Sequence, residues 1–490
     1  MKKKSALLKQ FHADLAALAA YEPRKRAIQW ILDGDFDAYL DWVDGDGFYA
    51  AHGEPRDAGG GWERLMLDLL NPMPLDRVLT QSRLGEKASI TAKIEAARLA
   101  SQALDHFDQS PFEIALRAAD DAAFAKLLSL FSSPTARYLR GSSNPLENAG
   151  WMRLGARMDL EEDEAGSRLA GDFGSWGMLI LPFLVGKPDR ASWMVKAGLA
   201  PDSQYGWADF AGKAEDYAKV GPALLSKIVG SDDCDPAKAA AWGWERMELV
   251  QKLEEAAGQA ELHGKAGAEG EATLSGEEFD RVALELVEQG SPIDYYTLAA
   301  ATELGRLDLL SKLFEAGADP NILYKSGERM LARMDDKSLT PEAVAVWMKA
   351  GARPTLDQGC ENPFIDGWSL SPLMSFAWKG RVDLLKACAE HAQGPVCFTQ
   401  DLGGGRVASD LLAVAIDKGR EDAAAWLVEE KGCRLDHIET QNGKPIRGLA
   451  KGQMLDRLVA IEERLALTAD PLTTTDKDLP RDPGEQRGRL

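Results

Sequence analysis

Metal or nucleophile chemistry in this chain rests on few side chains, because its 490 residues include five cysteines and six histidines. Cys388, His391 and Cys397, with Cys433 and His437 further on, are zinc-binding residue types. Structural zinc is usually clipped by tighter pairs, and Cys388 falls at a leucine-type position of an apolar helical pattern, where a small buried cysteine is ordinary. Asp33, Asp35 and Asp37, with Asp41 and Asp44, approach a calcium loop. Ala38 stands there where the tight turn needs glycine, and Asp44 where a bidentate Glu belongs. Gly59-Gly60-Gly61 and Gly403-Gly404-Gly405 lack a GxxxxGK[ST] continuation, and Pro188 follows Gly186-Lys187 where a phosphate-binding helix needs Ser or Thr. HExxH, GxSxG and HxE…CxxC patterns do not occur. The expectation is therefore no catalytic group, no cofactor and no metal ligand.

Charge narrows the partners. A formal net charge of -21 disfavours nucleic-acid backbones and anionic membrane surfaces, both of which attract basic footprints. A basic protein partner suits it, and so does a surface kept acidic for solubility. Cysteines that are few and odd in number disfavour a disulfide framework, so a reducing, cytoplasmic location is expected. Met1-Lys2-Lys3-Lys4 resembles the start of a secretory signal, but Lys9, His12 and Asp14 interrupt the apolar core such a signal needs. No segment approaches the ~20 apolar residues of a membrane span.

The elements that would position any site are clearest from Tyr295 to Asn321, YYTLAAATELGRLDLLSKLFEAGADPN. Leu298, Ala301 and Leu304 line one face of a first helix, Gly305-Arg306 breaks it, and Leu307, Leu310, Leu313 and Phe314 line a second. Gly317 stops that helix, and Asp319-Pro320-Asn321 turns the chain onward. One such pair cannot bury its own apolar faces, so the pattern predicts a stack.

Leu298, Ala301, Gly305, Leu313, Gly317, Ala318, Asp319 and Asn321 match the ankyrin repeat, which this stretch resembles. Thr297 and Ala299 stand where that family has its proline and its turn-bracing histidine. The resemblance implies an all-α, ankyrin-like helical-repeat solenoid of stacked antiparallel helix pairs, and it covers about residues 292–465. Weaker copies precede it. Arg26 to Asp46 repeats helix, glycine turn, helix; Ser110-Pro111 opens another pair. Gly186 precedes Gly198 by 12 residues (198 − 186), the same interval as Gly305 to Gly317 (317 − 305). Ser371-Pro372-Leu373-Met374 is the best opening of all, Ala408 to Gly432 holds a further pair, and Lys444-Pro445 opens a last pair that should act as a polar cap.

The expected organisation is a helical-repeat arm over 1–262, a Gly/Ala/Glu-rich loop or linker over 263–276, a second arm over 277–466 and a disordered tail over 467–490. Trp30, Trp193, Trp347 and Trp426 sit in helical apolar patterns and are expected in the core, as are Trp242, Trp244 and Met247. Tyr205, Trp207, Tyr324 and Trp368 follow helix stops, where the resemblance implies finger-like turns that present aromatic anchors. The function so implied is protein binding through a concave acidic face, in one version as an inhibitor or immunity-type protein. The alternative is an enzyme or secreted effector with its activity in the N-terminal half and a target-recruiting ankyrin-like arm. From charge alone, the chain should not bind duplex DNA or anionic vesicles at physiological salt. Micromolar retention in gel-shift or flotation assays would show that a local basic patch overrides the net charge.

Overall fold

Helix Tyr295–Glu303 ends on Gly305 at φ 66°, and helix Leu307–Glu315 ends on Gly317 at φ 107°. Past each glycine the chain folds back to donate to the carbonyl five residues earlier, Arg306 N–H to Ala301 O at 2.8 Å and Ala318 N–H to Leu313 O at 3.0 Å. That closure requires a left-handed residue, which a side chain disfavours. It recurs after Gly186 and Gly198, with Lys187 N–H on Pro182 O and Leu199 N–H on Met194 O, and after Gly380 and Gly419. The glycines that break and stop helices in the sequence pattern do so in the fold.

The computed structural model describes residues 22–39, 111–132, 179–201, 203–220, 234–266, 274–322, 329–334, 339–354, 371–393, 398–401, 406–439 and 443–468, with isolated positions between. It is mostly helical, and among the described residues no helix is long and apolar enough to cross a membrane. Two compact units emerge, Met1–Pro372 with Lys386–Pro395, and Leu373–Leu385 with Val396–Leu490.

In the first unit the helices are α1 (Glu22–Asp33), α2 (Pro111–Ala118), α3 (Asp121–Ser132), α4 (Asp189–Lys196), α5 (Gln204–Val220), α6 (Pro236–Ala266), α7 (Gly276–Glu288), α8 (Tyr295–Glu303), α9 (Leu307–Glu315), α10 (Met330–Arg333) and α11 (Pro341–Lys349). α1 packs on α2 and α3, and α3 on α4; α5 lies along α6. Thereafter α6 touches both α7 and α8, while α9 touches α7, α8 and α11. Ile31, Phe36, Phe112, Phe124, Leu184, Met194, Trp207 and Phe210 form one continuous core among the earlier helices. Among the later ones, Trp347 packs edge-on against Phe314 at 5.0 Å between centroids and donates its indole N–H to Thr302 Oγ1 at 3.0 Å.

Polar side chains tie one pair to the next. Arg190, 3% exposed on α4, donates to the carbonyls of Ala115, Leu116 and Ala119 at 2.7–2.9 Å. It thereby caps the C-terminus of α2 with a cation, where unpaired carbonyls and the helix dipole both favour one. Asn321 donates to Gly351 O at 3.0 Å and accepts from Arg353 N–H at 2.8 Å, bracing the turn after α9 against the turn after α11. Arg306 grips the Asp280 carboxylate of α7 through Nε and Nη2.

The second unit begins within α12 (Pro372–Lys379), and α13 (Val382–His391) is divided between the units. β1 (Gln400–Asp401) then pairs antiparallel with β2 (Val407–Ala408), in the register Gln400 to Ala408 and Asp401 to Val407. α14 (Asp410–Asp417) and α15 (Glu421–Lys431) form a helix pair, and α15 packs on α16 (Gly452–Thr468).

Three expectations change. The loop expected over 263–276 does not separate the units: α6 runs unbroken for 31 residues to Ala266, and residues 267–273 lie outside the described set. The last helix pair is instead a single 3-10 turn, Ile446–Gly448, followed by the 17-residue α16, which includes Leu467 and Thr468 of the expected tail. Residues 469–490 lie outside the described residues.

The glycines differ in what surrounds them. A Cβ added at Gly317 meets Lys196 O at 2.3 Å, and its φ of 107° lies beyond the left-handed basin that L-residues visit; at Gly419 φ is 67° and nothing lies within 4 Å. Gly419→Ala should therefore cost ~1 kcal/mol, and Gly317→Ala ~3 kcal/mol or more. Equal shifts in urea midpoint would show that the Lys196 contact does not hold in solution.

Candidate functional site

Tyr205 and Trp207 do not sit on a turn. The segment SQYGW forms the start of the 17-residue α5, and residues two apart on a helix point about 200° apart. Tyr205 is 64% exposed, whereas Trp207 is 0% exposed and packs edge-on against Phe210 at 5.7 Å and Trp242 at 5.3 Å. Trp207 is thus corrected from a binding anchor to a core residue. Tyr324 and Trp368 lie outside the described residues. Trp244, expected inward, is 37% exposed and donates its indole N–H to Glu215 of α5 at 3.1 Å, because Trp242 two residues earlier occupies the inward face. Tyr205 and Trp244 are the large exposed aromatics of α5 and α6.

A pair of acids meets where α6 passes the start of α8. Asp294, 1% exposed, caps α8 by accepting the Thr297 N–H on Oδ1 at 2.9 Å. The Glu254 carboxyl of α6 stands within hydrogen-bonding reach of it, and Gln204 of α5 donates to the other Glu254 oxygen. Burial pushes the Asp294 carboxyl up, against the pull of its bonds from Glu254 and Thr297. Two carboxyls in contact and out of water share a proton more readily than both ionise. Paired acids of shifted acidity are the raw material of general acid–base catalysis. Asp294 is instead buried and occupied in capping α8.

Ser409 Oγ lies 2.7 Å from His437 Nδ1, a nucleophile-and-base pairing that no motif in the sequence signals. Ser409 is 1% exposed, so its oxygen is not open to a substrate. Of the residues of zinc and calcium type, Cys397, Asp41 and Asp44 lie outside the described residues. Cys388 is fully buried, and burial pushes its thiol far up. Burial likewise raises the Cys433 thiol, to about 11, and its Sγ–H points at Phe398 O at 3.6 Å. Asp35 Oδ1 accepts the Ala38 N–H at 3.2 Å, and Asp33 accepts from the Gln29 amide at 2.7 Å. Among the described residues no group of three or more His, Cys, Asp and Glu gathers as a metal would need.

Asp294 yields a signed expectation. Its folded pKa is raised above the unfolded value of about 3.9, so the stability carried by its neutral form is complete below that value and lost as pH rises through the folded one. Asp294→Asn keeps the capping oxygen and cannot ionise. Its urea midpoint should therefore gain on the wild type as pH rises from 4 to 8, and a constant difference would show that Asp294 titrates normally.

No protein-family model and no curated protein matches the chain.

Proposed function

We propose that the chain is a protein-binding module, an ankyrin-like solenoid of stacked helix pairs whose acidic surface receives a basic protein, in the manner of an inhibitor or immunity-type protein, in the cytoplasm. The observation that carries this reading is the recurrence of one unit. A helix pair is broken by one left-handed glycine and stopped by a second, at Gly186 and Gly198, at Gly305 and Gly317, and at Gly419 and Gly432. Stacks of this kind have no closed interior pocket and act by presenting an extended surface. Net charge of -21 favours a basic partner through both encounter rate and complementarity. Tyr205, exposed on a rigid helix, is an aromatic group of the kind that anchors interfaces.

The test immobilises the full chain and identifies what it retains from a lysate of its source cells at physiological salt and at 0.5 M NaCl. A basic protein held near stoichiometry and released by salt supports the proposal; retention of nothing above a heat-denatured control overturns it. With that protein in hand, Tyr205→Ala should weaken affinity by ~1–2 kcal/mol and leave melting unchanged. Trp207→Ala should cost ~3–5 kcal/mol of stability. Calorimetric titration beside thermal melting separates the two.

A further inference from the structure

His437 sits where the pieces of the second unit meet. Its Nδ1 faces two donors at once, the Ser409 hydroxyl at 2.7 Å and the Arg434 N–H at 3.2 Å. A backbone N–H only donates, so Nδ1 must carry a lone pair, the proton of the neutral ring must be on Nε2, and the serine proton must point at the ring. The same turn is woven into its surroundings through the backbone. Ile438 N–H donates to Val407 O at 3.0 Å, Ser409 N–H to Ile438 O at 3.1 Å, and Ile446 N–H to His437 O at 2.9 Å. Leu435 N–H donates to Glu462 of α16 at 2.7 Å, and Arg447 N–H to Leu435 O at 2.8 Å. β2, the start of α14, the 3-10 turn and α16 therefore all converge on residues 434–438.

We propose that His437 is a pH-sensitive clasp, which holds the 434–438 turn closed while neutral and releases it, with the segments bonded to it, when its Nδ1 takes up a proton. Protonation puts a hydrogen where two others already point, so the Arg434 N–H loses its acceptor and Ser409 must turn its own proton away. Charged groups act on the ring from its own turn and from α16. Asp436 and Glu462 favour the charged form, Arg434 opposes it, and burial, the largest influence, sets the net direction downward. Cys433, the remaining titratable group at Ser409, stays a neutral thiol throughout this range. A depressed histidine pKa means that the closed turn is fully favoured above the open-state value of ~6.5 and loses that advantage as pH falls through the closed-state value.

Hydrogen exchange of the full chain tests this, read on peptides covering 434–439 and 446–449 and corrected for intrinsic rates. Opening should increase by up to about tenfold for each pH unit below ~6.5 until the closed-state value is passed, while peptides from α8 and α9 keep their protection. His437→Gln should abolish that pH dependence, and Ser409→Ala, by removing one donor to the neutral ring, should raise the closed-state value, so that the increase still begins near ~6.5 but levels off at higher pH and is smaller in total. A purely structural serine would weaken protection equally at every pH. Protection of both peptides that is unchanged between pH 7 and pH 5 in the wild type overturns the proposal even if both variants misfold, as does a levelling-off point unmoved by a folded Ser409→Ala.

Discussion

A left-handed glycine that lets the chain donate back to the carbonyl five residues earlier is the interaction on which the rest of the structure depends. Helices α8 and α9 have nine residues each, too few to persist alone in water. They exist because each is terminated within a residue or two and turned back against its neighbour. Where that closure is absent, as through α6, the helix runs on and contacts α5, α7 and α8 along its length.

Once the pairs are set, what remains is to satisfy the polar groups that stacking buries. Arg190 answers the carbonyls at the end of α2, Asn321 joins two successive turns, and Thr302 takes the indole proton of Trp347. Each joins residues distant in sequence, and each leaves a buried donor or acceptor stranded if the register slips, at about 1–3 kcal/mol apiece. Apolar contact holds the pairs together, and these bonds make one register better than its neighbours.

That division explains what the sequence discloses. Gly186, Gly198, Gly305 and Gly317 are legible because a glycine stop is a local event, readable from spacing and flanking leucines. α6 is legible only in part: Trp242 and Met247 mark its helical pattern, but its polar last turns resemble a linker. Arg190, the Asp294–Glu254 pair and the Ser409–His437 contact have no local signal. Their partners lie 28 to 75 residues away, and nothing short of the fold brings them together. The capping residue of α8 is Asp294, whose carboxylate accepts the Thr297 N–H.

The aromatic residues show the limit most plainly. Tyr205 and Trp207 are two apart, as are Trp242 and Trp244, and from residue type all four have equal claim to core or surface. On a turn both members of such a pair can face a partner. On a helix their separation of about 200° forces one inward when the other points out. α5 and α6 make that choice together: Trp207 and Trp242 meet edge to edge inside, leaving Tyr205 and Trp244 outward. Whether an aromatic faces outward, where a partner could meet it, is thus decided by helix phase.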